Sequence, residues 1–142
     1  MVALFSDEWL AHFKDEWNRD AELSGALAKI GFSSVIAYGF EGDSPPRAVV
    51  QVDNGLITAV GHGRPDRVNW DLRASAENWE ELISNKLGAA GLSLAYATRR
   101  LRFKSGDYGA MIKDPRMARP FIKSFVVMGR AAHVEQSALA GF

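Results

Sequence analysis

One alternating stretch, residues 67–74, constrains the fold of this 142-residue chain more than any other segment. Apolar and polar side chains alternate along it, so a strand here would have one apolar and one polar face. The apolar face consists of Val68, Trp70, Leu72 and Ala74, and the polar face of Arg67, Asn69, Asp71 and Arg73. Ser75 then supplies a helix N-cap, and Trp79 and Leu82 follow at helical spacing. The segment predicts a strand that turns directly into an amphipathic helix.

The composition is that of one globular domain without disulfides. Hydrophobic residues make up 47% and charged residues 24% of the chain, close to the values of ordinary globular domains. No apolar run approaches the length of a membrane span, and the first residues do not show the basic and apolar regions expected of a signal peptide. The absence of cysteine excludes thiolate nucleophiles and fits a reducing compartment. We therefore expect a single cytoplasmic domain over residues 1–142, with a flexible tail from about residue 130.

Further strands and helices can be placed on both sides of this segment. Residues 6–23 predict an amphipathic helix that is capped by Ser6. Three short strand-like runs follow, at 32–40, 48–52 and 56–61, and Asp53-Asn54-Gly55 between the last two is typical of a tight hairpin turn. These spacings favour an antiparallel meander.

The second half of the chain predicts two more helices around a basic strand. A helix of small residues is expected at 90–97 and a strand at 100–104. Asp114-Pro115 is a good start for a last helix, and Pro120 predicts that this helix is kinked or restarted. Five strands with several amphipathic helices to cover them can leave an apolar cavity between the two layers.

No reaction chemistry stands out. No pair of histidines has metal-ligand spacing, and the nucleophile-elbow and phosphate-loop motifs are absent from the sequence. His12 lies on an ordinary solvated helix face, and His133 lies in the expected tail. His62, between two glycines at a strand end, and Asp71, within a strand, are the remaining candidates. An enzyme that uses one of these two residues is kept as the third hypothesis for the function.

Charge is distributed unevenly along the chain. Residues 1–30 carry six acids and three bases, whereas residues 99–130 carry nine bases and two acids. The last strand projects Arg100, Arg102 and Lys104 from one face, where they suit phosphate head groups or an anionic membrane. The same charges would also protect an edge strand against unwanted pairing. Stacking aromatics are not interleaved with these bases, so no nucleic-acid partner is expected.

The order and spacing of these elements resemble the sterol carrier protein type two (sterol-binding) domain family. Trp70-Asp71 stands at the position of the family's Ala-Asp pair, and residues 75–79 match its Ser-x-x-x-Trp helix start. Residues 91–97 fall where the family has a helix of small residues. Residues 101–107 match its closing strand and the Gly-Asp pair that ends it. The resemblance extends from about residue 6 to residue 128.

Two departures from the family pattern fall close together. Arg99 stands where a glycine usually opens the last strand, and one additional residue precedes Gly106. The contour of the ligand site at this point is therefore expected to differ, so the ligand is not assumed to be a sterol.

The resemblance implies an α+β fold in which helices cover a five-stranded mixed sheet, with a three-strand meander and a crossover strand. It implies a hydrophobic tunnel between sheet and helices that binds or transfers a lipid, sterol or fatty-acyl-like molecule, without catalysis, cofactor or metal. The residues expected to line the tunnel are Trp79, Leu82, Ile83, Leu92, Tyr96, Phe121, Phe125 and Met128. The last helix would be the lid.

An accessory subunit is the alternative function. In that role the chain would dock on a larger enzyme that acts on apolar substrates. Transient contact with an anionic membrane or with such a partner enzyme is expected through Arg100, Arg102 and Lys104.

Overall fold

A five-stranded mixed sheet forms the centre of the computed structural model, which describes residues 2–63, 65–84 and 88–140, with side chains as far as residue 133. The strands are β1 (Ser34–Phe40), β2 (Ala48–Asp53), β3 (Leu56–Gly61), β4 (Trp70–Ala74) and β5 (Arg102–Ser105). Their spatial order is β3-β2-β1-β4-β5. β1, β2 and β3 form the antiparallel meander, and β4 crosses over to lie parallel to β1. The predicted α+β class and mixed sheet are confirmed.

Two of the helices, the first one and the one that directly follows β4, begin at the serine caps that the sequence predicts. The helices are α1 (Asp7–Arg19), a π-helical turn (Ala21–Gly25), α2 (Ala26–Lys29), α3 (Ala76–Ser84), α4 (Gly88–Ala97), α5 (Tyr108–Lys113) and α6 (Pro115–Ala140). The Ser6 hydroxyl accepts the amide of Trp9 at 3.2 Å, and the Ser75 hydroxyl accepts the amide of Asn78 at 3.0 Å. Each serine thus satisfies an amide at the open end of a helix.

The C-terminal part of the chain contains one helix more than the sequence predicts. α5 is not expected, because six residues are too few to show a helical period. α6 is not restarted at Pro120 and continues as a single helix to Ala140. Ala131 and Ala132, at the start of the expected flexible tail, are buried in the core, and the flexibility of the tail stays a prediction. Residues 141–142 lie outside the described residues.

Three tryptophan side chains connect the helices to other parts of the fold through hydrogen bonds to backbone carbonyl groups. The indole nitrogen of Trp9 donates to the carbonyl of Met128 at 3.2 Å. The indole nitrogen of Trp17 donates to Gly55, and that of Trp79 donates to Gly39, each at 2.8 Å. All three rings are buried, so each removes a large apolar surface from water while its one polar group stays paired.

The polar face of β4 is buried, which the alternating pattern alone did not indicate. Asp71 and Arg73 are only 6% and 5% exposed. The guanidinium of Arg73 binds both carboxylate oxygens of Asp71, at 2.6 and 3.1 Å, and also donates to the carbonyl of Asp43 at 2.6 Å. The loop after β1 thus covers this face of the sheet through a paired charge.

The charge separation along the chain is partly neutralised inside the fold. Asp20, which follows α1, accepts Arg130 of α6 at 2.8 Å and lies 3.6 Å from the amine of Lys123. Lys123 also lies 3.5 Å from Glu22. The acidic N-terminal segment and the basic α6 therefore meet at their interface instead of forming two fully separate poles.

Candidate ligand-binding site

An apolar cavity lies between the sheet and the first half of α6. The centre of a water-sized sphere can occupy about 40 Å³ of this cavity. Among the described residues, no charged side chain lines it. The residues that line it are Trp17, Leu23, Leu27, Phe32, Ile36, Tyr38, Trp70, Leu72, Met111, Met117, Pro120, Phe121 and Ser124.

The floor of the cavity is built by the parallel pairing of β1 and β4. Ile36 is in register with Trp70, and Tyr38 with Leu72, so these four side chains share one face of the sheet. This is the apolar face that the alternation of residues 67–74 predicts. The wall at Trp70 depends on Gly106, where φ is +104°. A Cβ atom at this position would overlap the indole of Trp70, which explains the glycine of the Gly-Asp pair.

The roof is one face of α6. Met117, Phe121 and Ser124 recur at spacings of four and three, which places them on one side of the helix. Phe121 packs against Phe125 and against Phe103 of β5, with ring centroids 5.1 and 5.8 Å apart. These apolar contacts close the cavity on the side of α6.

Four lining residues carry side-chain N–H or O–H groups, and two of these groups, the Tyr38 hydroxyl and the Trp70 indole, make no hydrogen bond with any described residue. The Trp17 indole donates to Gly55, and the Ser124 hydroxyl donates to the carbonyl of Phe121 at 2.5 Å. The Tyr38 hydroxyl has no hydrogen bond to any described residue, although Tyr38 is only 3% exposed. Burial raises the pKa of its phenol, so the hydroxyl remains protonated.

Only one of the residues predicted to line a tunnel, Phe121, borders this cavity. Five others are buried in the surrounding core: Trp79, Leu82, Leu92, Phe125 and Met128. Ile83 is half-buried, and Tyr96 is 41% exposed and stacks on Tyr108 with ring centroids 4.0 Å apart. A helical stripe indicates which side chains are buried, but not which of them border unfilled space. That these seven residues line a widened tunnel stays a prediction.

The sheet and the short helices supply the lining residues that sequence reasoning missed. Trp70 and Leu72 were recognised as an apolar face, but their pairing with Ile36 and Tyr38 is a long-range contact that no local pattern shows. Met111 lies on α5, the helix that was not expected. An apolar side chain in so short a helix gives no signal in the sequence.

The two candidate catalytic residues lie outside the cavity lining. His62 is exposed, with Nδ1 2.6 Å from the carbonyl of Arg47 and Nε2 2.5 Å from the carboxylate of Asp7. Both oxygens of Asp71 are bound by Arg73. The described residues contain no group of three or more histidine, aspartate or glutamate side chains that could hold a metal ion. None of the described helices combines the length and apolar character needed to cross a bilayer.

The fold is that of sterol carrier protein 2 and its structural relatives. The crystal structure of a sterol carrier protein 2 superposes with a TM-score of 0.71 at 17% sequence identity, covering 89% of this chain and 98% of that chain. A conserved hypothetical protein of Thermus thermophilus, described as a candidate sterol carrier protein, gives 0.66 at 18% identity over 93% and 92% of the two chains. UbiJ-SCP2, a ubiquinone synthesis protein, gives 0.55 at 12% identity over 86% of each chain.

The sequence itself matches no family model and no curated protein. At the identities of these structural relatives, the likeness shows a shared fold. The predicted resemblance is therefore confirmed in the path of the backbone.

Proposed function

We propose that this protein binds a hydrophobic small molecule, such as a lipid or a fatty-acyl-like compound, between its sheet and α6, and carries it without catalysis in the cytoplasm. The observation that carries the proposal is the apolar cavity, which no charged side chain lines in the part of the chain that the structure describes. The fold shared with proteins named as sterol carriers supports it. Affinity would come mainly from buried apolar surface, at about 25 cal/mol per Å² before ordering costs.

Binding requires the cavity to widen. A cavity of about 40 Å³ in this measure has room for roughly three water molecules. Ligand pockets for molecules of lipid size are several-fold larger. We therefore propose that the sheet and α6 separate on binding, so that the tunnel forms together with its ligand.

The first half of α6 is the part that would move. Met117 and Phe121, which cover the cavity, are only half-buried. The second half is tied down, because Met128 accepts the Trp9 indole and Ala132 accepts the amide of Val2 at 3.0 Å. A helix anchored at one end can swing outward at the other, which supports the role of lid.

A charge placed on the lid tests the site. We expect protein stripped of lipid to bind the hydrocarbon probe diphenylhexatriene with a rise in the probe's fluorescence. Phe121→Lys should weaken this binding at least tenfold, because binding would desolvate an unpaired ammonium group. Leu56→Lys is the matched control, since Leu56 is an exposed apolar residue on β3 outside the cavity lining. Equal binding by the two variants would place the ligand elsewhere, and no binding by the wild type would refute the proposed function.

The outer face of α4 supports a proposal about ligand delivery. Leu94 is 57% exposed, and Tyr96 packs against Phe103, which lies on β5 between the exposed Arg102 and Lys104. We propose that this edge of the sheet touches an anionic membrane transiently, with the apolar side chains of α4 at the lipid surface. Arg102 and Lys104 alternate with Phe103 along β5 and project from its other face, so they would reach the phosphates from the rim of the contact. The third base, Arg100, donates to Glu81 at 3.0 Å and is less available.

Vesicle binding separates this proposal from the accessory role. Co-sedimentation with vesicles of phosphatidylcholine and phosphatidylserine should exceed that with phosphatidylcholine alone, and Leu94→Ser should reduce it. If neither vesicle is bound, the membrane contact is wrong. The same exposed face is then available for docking on a partner enzyme, a role consistent with the fold shared with a ubiquinone synthesis protein.

A further inference from the structure

The Tyr38 side chain is held firmly within the core, but its hydroxyl is not held by any described residue. The ring packs against Phe13 and Trp79, with centroids 5.9 and 6.2 Å apart. The hydroxyl makes no hydrogen bond with any part of the chain that the structure describes. A buried hydroxyl without a partner is costly, so one that persists calls for an explanation.

The Tyr38 hydroxyl keeps some accessible surface. Among the described residues, no fully enclosed side-chain nitrogen or oxygen lacks a hydrogen-bond partner. Because the Tyr38 hydroxyl has no partner, it cannot be fully enclosed, although the residue as a whole is buried. The space that Tyr38 borders is the apolar cavity under α6.

The cavity contains two further polar groups that could take part in binding, the Trp70 indole, which also has no partner among the described residues, and the Ser124 hydroxyl. The Ser124 hydroxyl uses its hydrogen on the carbonyl of Phe121, which leaves its oxygen free to accept. A ligand hydroxyl could therefore accept a hydrogen bond from Tyr38 and donate one to Ser124. A ligand carbonyl could accept from Tyr38.

A charged head group does not fit this lining. A carboxylate in the cavity would lose its hydration, and none of the described side chains that line the cavity is a cation that could compensate for the loss. Burial raises the pKa of the Tyr38 phenol, so that its hydroxyl remains a neutral donor.

We propose that Tyr38 is the polar anchor of the cavity and selects neutral amphiphiles, whose apolar body ends in a single hydroxyl or carbonyl group, over carboxylates of the same chain length. This inference rests on the proposed function and adds the chemical class of the ligand to it.

The test compares ligands that differ only in their polar end. Displacement of diphenylhexatriene by 1-decanol, 2-decanone and decanoate is measured at pH 8 for the wild type and for Tyr38→Phe. We expect the wild type to bind decanol and decanone at least tenfold more tightly than decanoate. Tyr38→Phe should lose about three- to tenfold in affinity for the alcohol and the ketone, the range of one neutral hydrogen bond, and should bind diphenylhexatriene as before. Because no native hydrogen bond is lost, Tyr38→Phe should also melt at the wild-type temperature or above it.

Tyr108→Phe is the matched control. Tyr108 is also buried, but its hydroxyl lies 3.0 Å from the Ser93 hydroxyl and it does not line the cavity, so its removal should leave decanol binding unchanged. Unchanged decanol affinity in Tyr38→Phe would overturn this inference alone, as would decanoate binding as tight as that of decanol. If the wild type binds neither diphenylhexatriene nor decanol, the proposed function fails, and the inference fails with it.

Discussion

Arg99 occupies a backbone conformation that glycine usually supplies. Its φ is +61°, in the left-handed region, where it ends α4. The amide of Arg99 donates to Tyr96, and that of Arg100 donates to Ala95, at 3.1 and 2.8 Å, which is the hydrogen-bond pattern of a Schellman cap. The family resemblance places a glycine at this residue. This chain has arginine in place of that glycine but keeps the same turn. An arginine in the left-handed conformation carries backbone strain.

Relief of this strain can be measured. We expect Arg99→Gly to raise the free energy of unfolding by about 0.5–1 kcal/mol relative to Arg99→Ala, because both variants remove the charge and only glycine suits the left-handed turn. Urea denaturation of the two variants provides the comparison. A glycine variant no more stable than the alanine variant would show that the turn costs the chain nothing.

His62 links three segments through its two ring nitrogens and makes stability depend on pH. The hydrogen bond to the Arg47 carbonyl, followed by the contact with Asp7, raises the pKa of the His62 imidazole above its ordinary value of 6.5. Both partners favour the imidazolium, so its contribution is complete below pH 6.5 and is lost as the pH rises through the raised pKa. The group is exposed, so the contribution should stay below about 1 kcal/mol.

Replacement of His62 should remove this pH dependence of the stability. The free energy of unfolding of the wild type, measured by urea denaturation from pH 5.5 to 9, should fall above pH 6.5 more than that of His62→Gln. His12→Gln is the control and should follow the wild type, since His12 is 3.9 Å from its nearest carboxylate, Glu8. Parallel curves for the wild type and His62→Gln would contradict the assignment.

At the scale of elements, α3 and α6 are in close contact at Gly129. A Cβ atom here would overlap the backbone carbonyl oxygen of Ile83, which cannot move without moving α3. The contact sits beside Met128, whose carbonyl accepts the Trp9 indole. This crossing therefore fixes the half of α6 that does not cover the cavity.

A single methyl group added at residue 129 should push α3 and α6 apart. We expect Gly129→Ala to lower the free energy of unfolding by about 1–3 kcal/mol, as overpacking usually does. Gly25→Ala is the control, because the nearest atom to its added methyl would lie at an ordinary 3.8 Å, and it should be neutral or slightly stabilising. The prediction is tested by the melting temperatures of both variants in thermal unfolding. Equal melting temperatures would show that the contact between α3 and α6 tolerates the methyl group.

Local chemistry explains which elements could be predicted. The β2–β3 hairpin follows from Asn54 and Gly55, whose φ values of +48° and +86° are those that a tight turn requires. The Ser6 and Ser75 caps are equally local. The burial of Asp71 and Arg73 was not predictable, because it depends on a loop that returns from another part of the chain. The same is true of the cavity, whose floor joins β1 to β4 across more than thirty residues of sequence.

At the scale of the whole molecule, the cavity that would hold the ligand is separate from the exposed charges that would meet a membrane. The acidic N-terminal segment is partly neutralised by Lys123 and Arg130 of α6. The exposed bases of β5 and the apolar face of α4 remain at the opposite edge of the sheet from β3. A ligand carrier needs an apolar interior and a surface on which to exchange its cargo. The cavity is the candidate for the interior, and the edge formed by β5 and α4 is the candidate for the exchange surface.

The position of the ligand is the central claim, and one nuclear magnetic resonance measurement tests it on the unaltered protein. Isotope-filtered Overhauser contacts are recorded between unlabelled 1-decanol and methyl groups labelled with carbon-13. Contacts with Leu27, Ile36 and Met117 are predicted, because these methyl groups border the cavity. Contacts confined to Leu94 on the outer face of α4, or no contacts with any methyl group, would contradict the account.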